Sequence, residues 1–275
     1  MPSSEKTTDR KPSPGKKLPP SVQRPSARRS ARRAVLSEES IIRVAIALLD
    51  RDGADKLTLR KIASELDAGV ASLYWYASGK DQLLAMVSDE LIRRTIAKSE
   101  ELEQHGLLAP DAFSEVSFAE PHSSTSDVAA EALAQIRRLL LCLFEQMIEH
   151  RWLALQLMNN GPDQWYALRF WELIGRQIQR LGLHKREELF ATNAVVNYAS
   201  GIGAEASSHT VHKNLDPAET EEDMHAQINE WEQLDPEEFP FVHDIVEEFT
   251  EHDDIAEYSY GLELLLGGLE RQTWK

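Results

Sequence analysis

From residue 37 onward the apolar positions recur at helical spacing, and no stretch shows the alternation of period two that a half-buried strand requires. Ile41, Ala45, Leu48 and Leu49 form one stripe. Ser37 precedes it as an N-cap, with Glu38 and Glu39 in the first turn, where the helix dipole favours carboxylates. Gly53 ends this first helix by supplying a residue that tolerates positive φ. Thr58 then caps a short second helix whose Leu59, Ile62, Ala63 and Leu66 fall at i, i+3, i+4 and i+7. Asp67-Ala68-Gly69 supplies a tight turn, and Val70 to Tyr76 is a third helix too short to stand unless it packs, with Leu73 as its anchor. Ser78 is the expected cap of a fourth, longer helix, with Leu83, Leu84, Met86 and Val87 on its apolar face.

Beyond residue 98 the pattern stays helical. Breaks at Asn159-Asn160-Gly161-Pro162, Gly182, Asn214 to Pro217 and Asp235-Pro236 divide it into expected helices near 126–150, 163–182, 186–213, 217–233, 238–250 and 252–271. The fold class is therefore all-α, in three parts: an arm over 1–36, a three-helix head over 37–97 and a larger helical body over 98–275. The arm is rich in Pro, Ser, Lys and Arg, with only Leu18, Val22, Val35 and Leu36 as larger aliphatics. That composition does not offset the entropy of ordering a backbone, so the arm is expected to be disordered when free.

Charge sharpens the division, because the net −16 hides a strong segregation. The arm holds ten Lys or Arg against two acids, the head eight against ten and the body twelve against thirty-four, giving +8, −2 and −22. A basic arm on an acidic body suits a polyanion, since Lys and Arg beside phosphates release condensed counterions; a solvated tail is the plain alternative. The one cysteine, Cys142, sits in a leucine-rich run, so it reads as a buried apolar residue in a chain of the reducing cytoplasm. No apolar stretch reaches the roughly 18–20 residues of a membrane span, and no apolar signal core opens the chain.

Three short helices with a three-residue turn between the second and third have the layout of a helix-turn-helix, which offers one helix to the major groove of double-stranded DNA. The third helix begins Gly69-Val70-Ala71-Ser72, small residues that allow close approach to base edges, with methyl groups suited to thymine and a hydroxyl suited to phosphate. It ends Leu73-Tyr74-Trp75-Tyr76. Four large residues in a row exceed one core face, so the hydroxyls of Tyr74 and Tyr76 are expected on the phosphate backbone and Trp75 in the packing. Lys80 places a cation in the first turn of a helix, against the dipole, and a phosphate held by the free N–H groups there would compensate it.

These residues resemble the TetR (tetracycline-repressor) family over 37–90, through Leu57-Thr58-Leu59-Arg60-Lys61-Ile62-Ala63-Ser64-Glu65-Leu66, Ser72-Leu73-Tyr74-Trp75-Tyr76 and Lys80-Asp81-Gln82-Leu83-Leu84. The resemblance implies a transcription regulator. Thr58, Ser72, Tyr74, Tyr76 and Lys80 would position phosphates, while Arg60, Val70 and Ala71 would face bases, Arg60 a guanine. The family usually has glycine where this chain has Asp67, so the turn either tolerates aspartate or shifts toward Gly69.

The tail is similar to the C-terminal domain of tetracycline repressors, through Phe239-Pro240-Phe241 and Tyr260-Gly261-Leu262-Glu263-Leu264-Leu265-Leu266-Gly267-Gly268-Leu269-Glu270. That implies a body that binds a small-molecule effector and pairs with a second copy through helices near 186–206 and 252–271. The apolar surface of the last helix points the same way, because it exceeds what an exposed terminal helix needs. A two-fold homodimer demands a palindromic operator. Alignment with the family puts Leu157 where the drug–metal histidine stands, Asn160 near it and Glu205 at a metal-side carboxylate, so no cofactor or resident metal is expected. Leu157, Met158, Asn160, Trp165, Tyr198 and Ile202, with Glu205, are the candidate effector residues, and each is equally a candidate for core packing.

Two other readings remain at this level. A DNA-binding protein that ignores small molecules keeps every argument about the head. A metal-dependent enzyme would use Glu205, His209 and His212, spaced i, i+4 and i+7 on one helix, but that spacing also arises on ordinary polar faces. Neither a glycine-rich phosphate loop nor a hydrolase serine elbow is present, so an enzyme is not expected. The four arginines Arg28, Arg29, Arg32 and Arg33 would reach a minor groove beside the head.

Overall fold

The computed structural model describes residues 36–160, 164–211, 226, 228–251 and 253–274. Every regular element among them is helical: α1 (Glu38–Asp52), α2 (Leu59–Glu65), α3 (Val70–Leu73), α4 (Lys80–Gln104), α5 (Asp127–Glu149), α6 (Trp152–Asn160), α7 (Trp165–Arg180), α8 (Lys185–Val211), α9 (Pro240–Ile245) and α10 (Asp254–Gln272). The all-α expectation holds.

Local chemistry sets the boundaries in the head. The Ser37 hydroxyl accepts the Ser40 N–H and the Ser40 hydroxyl accepts the Ser37 N–H, both at 3.1 Å, which closes a capping box at the start of α1. Gly53 ends α1 at φ 79°. Thr58 caps α2 by accepting the Lys61 N–H at 3.2 Å. The turn into α3 is made at Asp67 itself, with φ 47°, while Gly69 keeps an ordinary φ of −71°. Aspartate is among the few residues that tolerate this region, so the turn is not shifted to the glycine. The expected cap at Ser78 is corrected: Gly79 is the N-cap of α4, and the Ser78 N–H donates instead to the Gln82 side chain at 2.8 Å.

One continuous core runs from Ile41 to Leu269. α4 links its two ends, packing on α1 near the head and on α5, α6 and α7 in the body, and it passes position 97 without a break. α5 is the central helix of the body. Its Leu139 to Phe144 are six consecutive buried residues, as expected of a helix covered on all sides. Cys142 lies among them, its thiol pushed up to about 12 by burial, so it is an inert packing residue. Tyr258 of α10 stacks on Phe144 with ring centroids 3.9 Å apart and donates its hydroxyl to the Leu140 carbonyl at 2.9 Å.

The body departs from expectation in two places. His150 leaves the helical region at φ −119°, ψ 75°, which separates α5 from α6, a helix absent from the sequence reading. The helix expected over 238–250 is α-helical only over Pro240–Ile245 and continues as a 3-10 turn to Glu251. The helix expected over 217–233 lies largely outside the described residues.

Candidate functional site

α3 is one turn long and holds to the head by a single buried side chain, Leu73. That economy leaves its other positions outside. Ala71, Ser72, Tyr74 and, on α2, Arg60 are exposed, with Thr58 exposed at the α2 cap, while Val70 is half-buried against the core. The Thr58 hydroxyl uses an oxygen lone pair on the Lys61 N–H, so its proton remains available to a phosphate. Trp75 corrects the sequence reading: it is 90% exposed, beyond the reach of the packing it was expected to join. The signal was available, because Leu73 and Ala77 already fill the core-facing side at i and i+4.

Two candidates are held differently. Tyr76 donates its hydroxyl to the Leu36 carbonyl at 2.5 Å, so its one hydroxyl proton is spent fixing the point where the arm joins the head. Lys80 opens α4 beside a glycine N-cap that supplies no side-chain oxygen. Among the described residues no carboxylate pairs with either Lys80 or Arg60. Arg28, Arg29, Arg32 and Arg33 lie outside the described residues.

Two half-buried aspartate contacts connect the head and α4 to the rest. Asp50 near the end of α1 meets His150 Nδ1 at 3.0 Å and accepts the Trp152 indole N–H at 2.8 Å. Asp89 on α4 accepts the backbone N–H groups of Tyr166 and Ala167 at 2.7 and 3.0 Å, capping α7 in place of the missing side-chain cap at Gln164. Burial pushes the Asp89 carboxyl above its ordinary value, while those two N–H groups oppose the shift.

The candidate effector residues are spread over three helices. Leu157 is half-buried and Met158 exposed on α6, and the side chain of Asn160 lies outside the described residues. On α8, Tyr198 donates to the Tyr258 carbonyl at 3.0 Å and stacks on the Tyr258 ring at 5.6 Å, Ile202 packs on the core, and Glu205 is exposed. Trp165 stands apart at the start of α7, where it lines a cleft of 720 Å3 between α7 and α4. The side chains of His209 and His212 lie outside the described residues. Among the described residues no three His, Cys, Asp or Glu side chains gather closely enough to hold a metal ion.

α8 and α10 lie against each other and share an apolar outer face. Phe190, Tyr260 and Leu264 are 56%, 70% and 62% exposed, and a groove of 380 Å3 between the helices is lined by Phe190, Ala194, Leu264 and Gly268. No described helix is long and apolar enough to cross a membrane.

Residues 41–87 match the model of bacterial regulatory proteins of the tetR family, and residues 129–273 match the tetracyclin repressor-like C-terminal domain. An HTH-type transcriptional regulator of Saccharopolyspora erythraea is 29% identical over 197 residues, 70% of this chain and 69% of that one. The class D tetracycline repressor protein of Escherichia coli is 25% identical over 242 residues, 87% of this chain and 91% of its own. Among solved structures, the Streptomyces coelicolor TetR family protein ActR in complex with actinorhodin superposes with a TM-score of 0.64 at 21% identity, over 88% of this chain and all of that one.

Proposed function

Because this chain belongs to the TetR family of bacterial regulatory proteins, which are transcription regulators and not enzymes, we propose that it works as a homodimeric repressor. It binds a palindromic operator and is released by a small-molecule effector. One observation carries the reading: the segment from Val70 to Trp75 buries Leu73 fully and Val70 in part, and leaves Ala71, Ser72, Tyr74 and Trp75 to an external partner.

In the major groove, Arg60, Val70 and Ala71 take the base edges, with Arg60 forking onto a guanine. Thr58, Ser72, Tyr74 and Lys80 hold phosphates, Lys80 beside the open N–H groups that start α4. Trp75 lies against the sugar–phosphate backbone. Tyr76 serves through its bond to Leu36, which fixes where the arginine-rich arm leaves the head. From there Arg28, Arg29, Arg32 and Arg33 enter the adjacent minor groove.

The outer face of α8 and α10 supports the dimer, because an exposed apolar helix pair is buried most simply against its own copy. Two-fold symmetry then sets the reading heads about 34 Å apart, one turn of the duplex. An effector acts by binding better to the dimer whose heads are spaced wrongly, and lowers operator affinity by that preference.

Selection from random duplexes at fixed salt tests the reading. An inverted repeat in the bound fraction, released by some member of a small-molecule panel, is the expected result. A single half-site would sink the dimer, and an operator that no compound releases would leave a regulator without an effector.

A further inference from the structure

From Asn214 to Glu270 the chain carries nineteen Asp or Glu and not one Lys or Arg, whereas residues 1–36 carry ten Lys or Arg against two acids. Opposite charge runs of this size attract each other wherever the chain lets them meet. The described part of the acidic run also has a shape. The Phe239 N–H donates to the Asp235 carbonyl at 2.8 Å and His243 Nε2 meets the Leu234 carbonyl at 2.8 Å, so the turn before α9 folds back on that helix as one unit. On it Phe241 is 70% exposed, and Asp244, three residues on, shares its helix face.

Glu237, Glu238 and Glu248 flank that pair, all exposed, and none of these four carboxylates makes an ion pair among the described residues. A carboxylate accepts the fork of an arginine and an aromatic ring accepts the face of its guanidinium, so an exposed phenylalanine among free carboxylates suits arginine rather than an apolar partner. The arm can reach this face. Asp253, further along the run, lines one pocket with Arg151, and Arg151 follows His150, which meets Asp50 of α1 at 3.0 Å. The acidic run therefore comes up to the end of the body that faces the head. The arm joins the head at Leu36, where the Tyr76 hydroxyl holds the carbonyl. Its 35 residues span at most about 120 Å when extended.

We propose that, without DNA, the basic arm docks on the face formed by Glu237, Glu238, Phe241, Asp244 and Glu248 of its own chain, and that DNA and this face compete for the arm. Arg28, Arg29, Arg32 and Arg33 take the carboxylates and the Phe241 ring. The inference rests on the reading of the arm as a DNA contact. Its consequence is a check on sequence-independent binding. A random duplex holds the protein by phosphate charge alone and must first win the arm from the face, whereas an operator has the base contacts of α3 in addition.

The test is a double-mutant cycle in the full chain, with Glu237→Gln, Glu238→Gln, Asp244→Asn and Glu248→Gln on the face and Arg28→Gln, Arg29→Gln, Arg32→Gln and Arg33→Gln on the arm. Anisotropy of a random-sequence duplex at one low salt concentration is the readout. Neutralising the face should raise duplex affinity at least about fivefold when the four arginines are present and far less when they are replaced. Phe241→Ala should give a smaller gain with the same dependence on the arginines. The one native cysteine, Cys142, is buried, so a dye on Ser30→Cys follows the arm alone. Without DNA, its anisotropy should fall on neutralising the face and on adding salt. Equal gains with and without the arginines would mean that the carboxylates merely repel DNA, and would overturn the docking. No gain in duplex affinity, or a dye anisotropy untouched by neutralisation, overturns it too. Binding of a selected inverted repeat by the parent chain reports separately whether the regulator reading stands.

Discussion

Asp50 of α1 and His150 at the end of α5 meet at 3.0 Å, and the same carboxylate accepts the Trp152 indole N–H at 2.8 Å. Because an ionised carboxylate only accepts, the facing His150 nitrogen carries its proton and donates. One aspartate therefore joins the head to the body through two buried side chains. Asp50→Ala strands both N–H groups and should cost about 1–3 kcal/mol, read as a lower urea midpoint at unchanged slope. Asp50→Asn keeps an acceptor oxygen and should lose less. Equal losses would show that charge, rather than hydrogen bonding, holds the joint.

Asp89 gives a pH signature of definite sign. Burial, its largest influence, holds the carboxyl above its ordinary 3.8, so the folded state binds the proton more tightly than the unfolded one. Its contribution to stability must then fall as pH rises from 3.8 through the raised value, and below 3.8 it adds no slope. Asp89→Asn removes this dependence while leaving an oxygen for the α7 N–H groups. Measured by urea unfolding across that window, the variant should gain on the parent chain as pH rises. A constant difference would show that Asp89 does not titrate there. Asp89→Ala removes the cap itself and should cost about 1 kcal/mol.

On DNA, Lys80 and Arg60 should fail in different ways. If Lys80 holds a phosphate as proposed, Lys80→Ala should lower affinity for all duplexes alike and shrink the salt slope by about one. Arg60→Ala should cost about 1–3 kcal/mol at one base pair and relax the preference there, leaving other positions unchanged. Salt titration of selected and scrambled duplexes separates the two.

Trp75 is the sharpest test of the exposed face. With 90% of its surface in solvent, Trp75→Ala should change stability by no more than about 0.5 kcal/mol, yet weaken duplex binding. A thermal scan beside an anisotropy titration measures both, and unchanged binding would remove Trp75 from the interface.

Most of the head was legible from spacing alone. The stripe Leu59, Ile62, Ala63 and the caps Ser37 and Thr58 are local chemistry, settled within four residues of each site. Trp75 was misread because an aromatic residue suits a core, although Leu73 and Ala77, spaced i and i+4, already fill the core-facing side. Asp50, Asp89 and Tyr76 were illegible in principle. Their partners lie 100, 77 and 40 residues away, and two of the three bonds end on backbone groups that carry no sequence signal. α6 escaped notice because its start depends on the backbone turn at His150, which no glycine or proline announces.

The α8–α10 face offers the last test. Tyr198 donates to the Tyr258 carbonyl, and a Cβ at Gly261 would collide with the Tyr198 ring, so these two helices lock together on their inner side and leave Phe190, Tyr260 and Leu264 outside. If that outer face meets its own copy, Leu264→Glu buries like charges against each other and should yield monomers in sedimentation equilibrium. Leu107→Glu, at an exposed leucine in the loop after α4, should leave the dimer intact. Operator binding should follow assembly. A linked second head binds at a high effective concentration, so splitting the dimer should cost far more affinity on an inverted repeat than on a single half-site. A Leu264→Glu chain that stays dimeric would place the interface elsewhere, and one that turns monomeric while keeping full operator affinity would show that one head reads the site alone.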